Sequence, residues 1–256
     1  MRCRPLARLA AVAVVVLLAL GLLSAGVQAT TLRDMEFKCA LCGEQFTDVV
    51  VMSTNVMRRD TELRPYAVGH QPMGHYIHTC PRCGFTHHDH GLQLSEEQKA
   101  ASRKFLSSYC QQHDCRKLTP SQKYEVVANL YQVLGQSSEA VAVNFHRAAW
   151  MADDEKNEEA ARRFRAETIR FLQKALENKE LPEDAVDTVT YVLGELNRRL
   201  GRFDEALKWF SRVKTQDPHL TALVKQQQEL AQKKDSGKTM MPDLRDKGKP
   251  GRPKQK

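Results

Sequence analysis

The sequence predicts a mainly α-helical protein in which a small, turn-rich β module precedes a short array of helical hairpins. Three observations predict this fold class. Two Cys-x-x-Cys motifs lie in residues 30–92, helix-capping patterns begin at Ser95, and small and aromatic residues recur at helical-hairpin spacing up to Pro218. The 256 residues divide into a leader (1–29), the β module (30–92), a helical domain (93–232) and a tail (233–256).

Each cysteine pair in the β module has two residues between its thiols and a glycine after the second thiol. A Cys-x-x-Cys turn directs two sulfurs at one ion, and two such turns supply the four ligands of a tetrahedral zinc site. The sequence therefore predicts a zinc-ribbon-like module that holds one structural zinc. The predicted metal ligands are Cys39, Cys42, Cys80 and Cys83.

Other roles for these cysteines remain open. A redox-active dithiol or simple disulfides would suit an oxidising compartment, in which six cysteines remain once the leader is removed. No strand-helix-strand unit surrounds either motif, which argues against a thioredoxin-like site. Cys110 and Cys115 are either joined to each other or reduced.

Two strand signals lie between the two cysteine pairs. Residues Asp48–Met52 form an apolar run with strand propensity, and His75–Thr79 leads into the second cysteine pair. The polar stretch Met57–Met73, with its prolines and glycine, is interpreted as a loop. This loop accounts for the long separation of 37 residues between the two cysteine pairs.

Histidines cluster near the cysteines, with seven of nine between His70 and His113. Because histidine is a common metal ligand, a second, labile metal site is one interpretation, and a polar loop is the other. His87 or His90 could also replace one cysteine at the zinc. The sequence leaves open whether His87, His88 or His90 binds metal.

Capping patterns mark the starts of the first helices. A serine or threonine followed three residues later by glutamine forms a capping box at Ser95–Gln98 and at Thr119–Gln122. Gly135 then ends a helix. The predicted helices run from these boxes to about Tyr109 and Leu134, then over Ser138–Met151 and Glu158–Asn178.

The segment Asp187–Pro218 carries the clearest repeat signal. Its glycines, alanine and aromatic residues fall where a tetratricopeptide unit of 34 residues places them. Gly135 and Gly201 lie 66 residues apart, close to two such periods, so three hairpins fit. The middle unit lacks a turn glycine near Thr168, so a single long helix is the alternative there.

The leader resembles a secretory signal peptide. Three arginines precede an apolar run of 15 residues, Leu9–Leu23, and Val27–Ala29 offers small residues for cleavage. An uncleaved membrane anchor is the alternative, although the run is shorter than the roughly 20 residues that span a bilayer. We expect export to the periplasm or the extracellular space, with tethering to the membrane if cleavage fails.

The formal charge of +8 is unevenly distributed. The leader carries three positive charges in excess and the tail carries six, so the segment 30–232 is nearly neutral. A nucleic-acid-binding domain would need a basic excess in its folded part. We therefore expect no nucleic-acid partner and a solvated, disordered tail.

The order of these parts resembles the bacterial family called domain of unknown function 2225. The resemblance covers Phe37–Val213, and its most specific segments are Cys80–Phe85 and Gly194–Gly201. It implies a zinc ribbon followed by tetratricopeptide-like helices. It implies no particular activity.

No catalytic motif stands out in the sequence, which lacks a nucleophile elbow and a glycine-rich phosphate loop. The leading hypothesis is an exported, non-enzymatic interaction or scaffold protein. Structural zinc would hold its ribbon, and the helical hairpins would bind a peptide or a partner helix. The alternative is a metal-handling or thiol-redox protein that uses the cysteine- and histidine-rich module.

Overall fold

The computed structural model describes residues 30–88 and 91–241, and it confirms a mainly helical chain with small strand pairs near its N-terminal end. The strands are β1 (Thr30–Lys38), β2 (Gln45–Thr54), β3 (Val56–Arg59), β4 (Pro65–Ala67), β5 (His78–Thr79) and β6 (Thr86–His87). The helices are α1 (Glu96–Gln112), α2 (Pro120–Val133), α3 (Ser138–Asp154), α4 (Glu158–Glu177), α5 (Glu183–Arg199), α6 (Phe203–Phe210) and α7 (Pro218–Gln232).

The β module consists of three antiparallel hairpins, β1–β2, β3–β4 and β5–β6. The first cysteine pair lies in the turn of β1–β2, and the second lies in the turn of β5–β6. The predicted strand Asp48–Met52 is confirmed as part of β2. The predicted strand at His75–Thr79 is shortened to β5, because Pro72 starts a 3-10 helix that runs to His75.

The stretch Met57–Met73 is not the irregular loop that the sequence predicted. It contains most of β3, all of β4 and the start of the 3-10 helix. Between the two strands lies the turn Asp60–Arg64, here called the insert turn. Four of its five residues are no more than 2% exposed, so this polar turn is buried among the helices.

Ion pairs hold the insert turn on α3, α4 and α5. The Glu62 carboxylate lies 2.8 Å from Nη2 of Arg165 and 2.8 Å from Nε of Arg199. The Arg64 guanidinium pairs with the Asp154 carboxylate at the end of α3. Burial of these charges is tolerated because each meets an opposite charge.

Hydrogen bonds from hydroxyl groups add to these ion pairs. The Tyr191 hydroxyl donates to the carbonyl of Thr61 at 2.7 Å, and the Thr61 hydroxyl donates to the Glu195 carboxylate at 2.7 Å. Glu195 in turn pairs with Arg198, and both side chains are fully buried. The insert turn is thus an integral part of the helical core.

The capping predictions are confirmed at the first two helices. Ser95 and Gln98 exchange side-chain and backbone hydrogen bonds, and Thr119 and Gln122 do the same. Helix α1 extends beyond Tyr109, the residue at which the sequence placed its end. The long segment beginning at Glu158 is one continuous helix of 20 residues, the alternative that the missing glycine had suggested.

Antiparallel helices pack as neighbours along the chain, with α3 between α2 and α4 and with α5 against α6. Gly194 on α5 allows a close approach of α6, since an added Cβ would lie 2.5 Å from the ring of Phe210. Gly135 and Gly201 adopt positive φ angles of 70° and 76° just after helices α2 and α5. Gly135 ends its helix as predicted, and Gly201 has the same role after α5.

Two apolar clusters form the core. The larger cluster contains residues from the helices α2 through α7 and from the 3-10 helix. The smaller cluster contains residues from both cysteine turns, α1 and α2. Phe85, which is fully buried, packs with Leu106 of α1 and Val126 and Leu130 of α2 in the smaller cluster. The cysteine turns are therefore anchored on the first two helices.

The chain remains ordered beyond Gln232, where the sequence placed the start of a disordered tail. Residues 233–241 run back along the insert turn, and Met240 forms a β-bridge with Asp60. Arg198 donates to the carbonyls of Asp235 and Gly237, which holds the segment in place. The rest of the predicted tail lies outside the described residues.

None of the described helices is long and apolar enough to cross a membrane. The predicted signal peptide, residues 1–29, lies outside the described residues, as does His90.

Candidate metal centre

The two cysteine turns have the same backbone geometry. In the first, the Cys39 N–H donates to the Glu44 carbonyl at 2.8 Å, and the Gly43 N–H donates to the Cys39 carbonyl at 2.9 Å. In the second, the Cys80 N–H donates to Phe85 and the Gly84 N–H donates to Cys80, both at 2.9 Å. Each turn therefore presents its two sulfurs in the same way.

A left-handed glycine closes each turn. Gly43 has a φ angle of 77° and Gly84 has one of 73°, a region in which side chains with a Cβ are strained. This requirement explains why glycine follows each Cys-x-x-Cys motif. The sequence pattern and the local backbone therefore agree at both positions.

The structure brings all four predicted ligands together, although they come from two distant segments. Their sulfurs lie within 4.8 Å of one another. The Cys39 and Cys83 sulfurs are 3.6 Å apart, and those of Cys42 and Cys80 are 3.7 Å apart. Sulfurs at tetrahedral corners around one ion, each at about 2.3 Å, would be about 3.8 Å apart. The arrangement thus fits a single metal ion.

The thiols strongly influence each other's protonation. A hydrogen bond from the Cys83 thiol lowers the pKa of Cys39 to about 5, and the same contact raises the pKa of Cys83 far above its usual range. Burial raises the pKa of Cys80 to about 11. Four thiolates this close would repel one another, so all four would ionise together only around a bound cation.

Two polar contacts connect the cysteine turns, one to each other and one to α1. Arg82 of the second turn lies 3.3 Å from the Glu44 carboxylate of the first, which links the two turns at the surface. Arg103 of α1 donates to the Leu41 carbonyl at 3.3 Å. Cys39 and Cys80 are nearly completely buried, whereas Cys42 and Cys83 are partly exposed.

Cys110 and Cys115 form a disulfide against the second cysteine turn. A Cβ added to Gly84 would lie 2.8 Å from the Cβ of Cys115, so the disulfide touches the backbone of this turn. A cavity of about 400 Å³ lies beside it, with Arg82, Arg103 and His113 among its lining residues. The structure thus favours the joined form of this cysteine pair.

Two histidines that follow the second turn make contacts with other parts of the protein. Both ring nitrogens of His88 lie 2.7 Å from protein oxygens, the Tyr76 carbonyl and the Asn144 side chain. Burial lowers the pKa of His88. His87 is 4% exposed and lies close to the ring of Phe85. Neither residue joins the four sulfurs in the described cluster.

The insert turn and its ion pairs were missed by the sequence analysis. The available signal was a charged residue on an apolar helix face. Arg165 lies four residues from both Ala161 and Ile169, on the buried stripe of α4. Such a residue needs a buried counter-charge, and Glu62 provides it.

The fold and the site define a class of protein in which a four-cysteine β module is anchored on antiparallel helices. The chain belongs to the family described as "uncharacterized protein conserved in bacteria (DUF2225)", which matches residues 32–234. This match confirms the resemblance drawn from the motifs. Neither the curated proteins nor the solved structures include a match to the chain.

Proposed function

We propose that the four cysteines bind one structural zinc ion. The observation that carries this proposal is the meeting of four sulfurs at 3.6–3.7 Å across the two turns. Tetrahedral all-thiolate sites of this kind favour zinc, and complete thiolate coordination leaves no position open for a substrate. Residues Cys39, Cys42, Cys80 and Cys83 would hold the ion.

The zinc would act as a clamp for the segment between the two turns. That segment carries the insert turn, whose Glu62 and Arg64 are bound by α3, α4 and α5. Metal binding in small zinc modules contributes roughly 10–16 kcal/mol. We expect the ion to fix both ends of the segment, so that the β module and the helices form one unit.

We further propose that the protein is an exported, non-enzymatic scaffold whose tetratricopeptide-like hairpins bind a peptide or a partner helix. Support for export comes from the signal-like leader. Support for the hairpins comes from the close contact of Gly194 with Phe210 and from the turn at Gly201. The insert turn fills the space between α3, α4 and α5, so the partner would bind the remaining exposed helix surface.

The zinc proposal is tested by elemental analysis and thermal unfolding of the purified protein. We expect one zinc per chain and a marked drop in melting temperature on chelation or in Cys80→Ser. Retention of full stability without metal would contradict the clamp role.

The binding proposal needs a separate test, because a structural zinc site is compatible with functions other than partner binding. Val143 and Val186 are exposed apolar residues on α3 and α5. In a pull-down from envelope extract, we expect the double variant Val143→Asp and Val186→Asp to lose its bound partner protein. Deletion of residues 242–256 should leave that binding intact. Capture that depends on the tail alone would contradict the proposed surface.

The contact between the Cys110–Cys115 disulfide and the second cysteine turn favours a thiol-redox role as the second candidate. A dithiol reductant would then convert the disulfide to two thiols and become oxidised itself. Repeated cycling of these thiols, measured by alkylation and mass spectrometry, would favour this candidate. Thiols that stay inert would favour the structural role.

A further inference from the structure

We propose that the insert turn, Tyr66 and Arg198 form a binding site for an extended peptide in which a lysine is followed by a threonine or serine. Residues 235–241, here called the C-terminal strap, occupy this site in the structure as an intramolecular ligand. A segment of a partner protein with the same chemistry would replace the strap. The site uses other residues than the exposed helix surface of the scaffold proposal, so the inference goes beyond that proposal.

The backbone of the C-terminal strap pairs with the insert turn in the manner of an added β-strand. The Thr61 N–H donates to the Thr239 carbonyl at 3.0 Å. The Met241 N–H donates to the Arg59 carbonyl at 3.0 Å, and Met240 forms the β-bridge between these two hydrogen bonds. Peptides that add a strand to an open edge gain affinity from main-chain hydrogen bonds, and pockets for single side chains supply the specificity. The strap thus shows how a peptide ligand would lie.

A buried carboxylate and an aromatic ring bind the lysine of the strap. The Lys238 ammonium lies 3.4 Å from the Asp60 carboxylate, whose side chain is 1% exposed. It also lies 5.2 Å from the centroid of the Tyr66 ring, and the Tyr66 hydroxyl donates to the same carboxylate at 2.9 Å. Arg64 lies over this ring as well, but it pairs with Asp154. A carboxylate beside an aromatic face therefore selects a basic side chain at this position.

Arg198 and Thr61 contact the strap on either side of the lysine. The buried guanidinium of Arg198 donates to the carbonyls of Asp235 and Gly237 at 2.6 and 2.9 Å. The Thr61 hydroxyl lies 3.0 Å from the Thr239 hydroxyl. Carbonyls are common to every peptide, so Arg198 fixes the position of the backbone. The hydroxyl pair favours a threonine or serine directly after the lysine.

The site is built into the core, whereas the strap lies at the surface. Asp60, Thr61 and Arg198 are each at most 1% exposed, and Arg198 has a fully buried ion-pair partner on α5. Residues 235–238 are exposed, and Met241 packs at the edge of the larger apolar cluster. A segment near a chain end that buries little apolar surface opens at a low cost in free energy. We therefore expect the strap to leave while the site keeps its shape.

The test uses the full zinc-loaded chain and a fluorescent peptide with the sequence of residues 235–241, measured by fluorescence anisotropy. Lys238→Glu should open the strap, because the new carboxylate would face the Asp60 carboxylate. In the original chain the tethered strap competes with the peptide, so Lys238→Glu should bind the peptide at least about tenfold more tightly. The matched control is Lys225→Glu, the same charge change at an exposed lysine on α7, which should leave the affinity unchanged.

Two further variants separate the opening of the strap from recognition of the lysine. Met241→Pro removes the N–H that donates to Arg59 without changing the charge, so it should also raise the affinity for the peptide. Tyr66→Leu, added to Lys238→Glu, should weaken peptide binding by about threefold or more, because the aromatic face is lost. A peptide with glutamate in place of the lysine should not bind to any of these variants.

Three results would overturn the proposal. The first is a peptide affinity in Lys238→Glu and Met241→Pro that is no higher than in the original chain, which would make the strap a permanent part of the fold. The second is equal binding of the lysine and glutamate peptides. The third is a dimer of the original chain in native mass spectrometry that both variants lose, which would show that the site binds the strap of a second copy. Hydrogen exchange at the Thr61 amide reports in each variant whether the strap has opened.

Discussion

Replacing Glu62 by Gln tests whether the insert turn is part of the folded core. Glu62 is 2% exposed, and its Oε1 atom lies 2.8 Å from both Arg165 and Arg199. Glu62→Gln keeps the shape but removes the charge, which leaves Asp153 as the carboxylate closest to both guanidiniums. Removing one partner of a buried ion pair costs about 3–5 kcal/mol.

We expect a loss near the lower end of that range, about 3 kcal/mol, because Asp153 still balances part of the positive charge. For a chain of this size, the melting temperature should fall by roughly 6–12 °C. Urea unfolding of the zinc-loaded protein, followed by circular dichroism, measures the free energy directly. The matched control is Glu167→Gln on α4, the helix that carries Arg165. The pair of Glu167 with Arg170 is at the surface, so its effect should be under about 1 kcal/mol.

The same pair predicts how stability depends on pH. Burial acts to raise the pKa of Glu62, but Arg165, His146 and Arg199 together hold it well below its usual range. A carboxyl whose pKa is lowered by folding contributes stability above its unfolded pKa of about 4.3, and this contribution is lost as the pH falls. The difference in the free energy of unfolding between the original chain and Glu62→Gln should therefore become smaller below about pH 4.

Two outcomes would refute this reasoning. Equal stability of Glu62→Gln and the original chain at neutral pH would show that the insert turn contributes little to the core. A difference in the free energy of unfolding that grows as the pH falls would show that the pKa of Glu62 is not lowered by folding.

The remaining predictions concern close contacts at glycine. Gly194→Ala should destabilise the protein by about 1–3 kcal/mol, because the new Cβ would lie 2.5 Å from the Phe210 ring, and urea unfolding will measure it. Gly84→Ala should cost more than Gly43→Ala. Both positions have a positive φ angle, but only the new Cβ at Gly84 would collide with the Cys110–Cys115 disulfide. Equal losses in the two variants would contradict the contact with the disulfide.

The sequence predicted those parts of the fold that depend on local chemistry. Both cysteine turns follow from the Cys-x-x-Cys-Gly pattern, and the starts of α1 and α2 follow from Ser95 and Thr119. These features need only a few adjacent residues. The meeting of the four sulfurs was also predicted, because zinc coordination supplies a long-range rule.

The parts that were missed depend on long-range contacts between charged residues. The insert turn is polar and looks like a solvent-exposed loop until Arg165 and Arg199 are seen to face it. The end of α3 was also hard to predict, because Lys156 adopts a positive φ angle of 57° at a position where glycine is typical. Lysine gives no turn signal there.

The order of residues 233–241 was missed for a related reason. This segment is rich in lysine and lacks apolar periodicity, which is typical of disordered tails. Its backbone nevertheless pairs with the insert turn through Met240 and accepts hydrogen bonds from Arg198. Backbone pairing of this kind leaves no pattern in the side chains.

Native mass spectrometry of the folded protein tests the central claim most directly, because it counts metal ions and disulfides in one spectrum. We predict one zinc ion per chain, bound by Cys39, Cys42, Cys80 and Cys83, and its loss in Cys80→Ser. A folded protein without metal, in which these four sulfurs are joined as disulfides, would contradict the account.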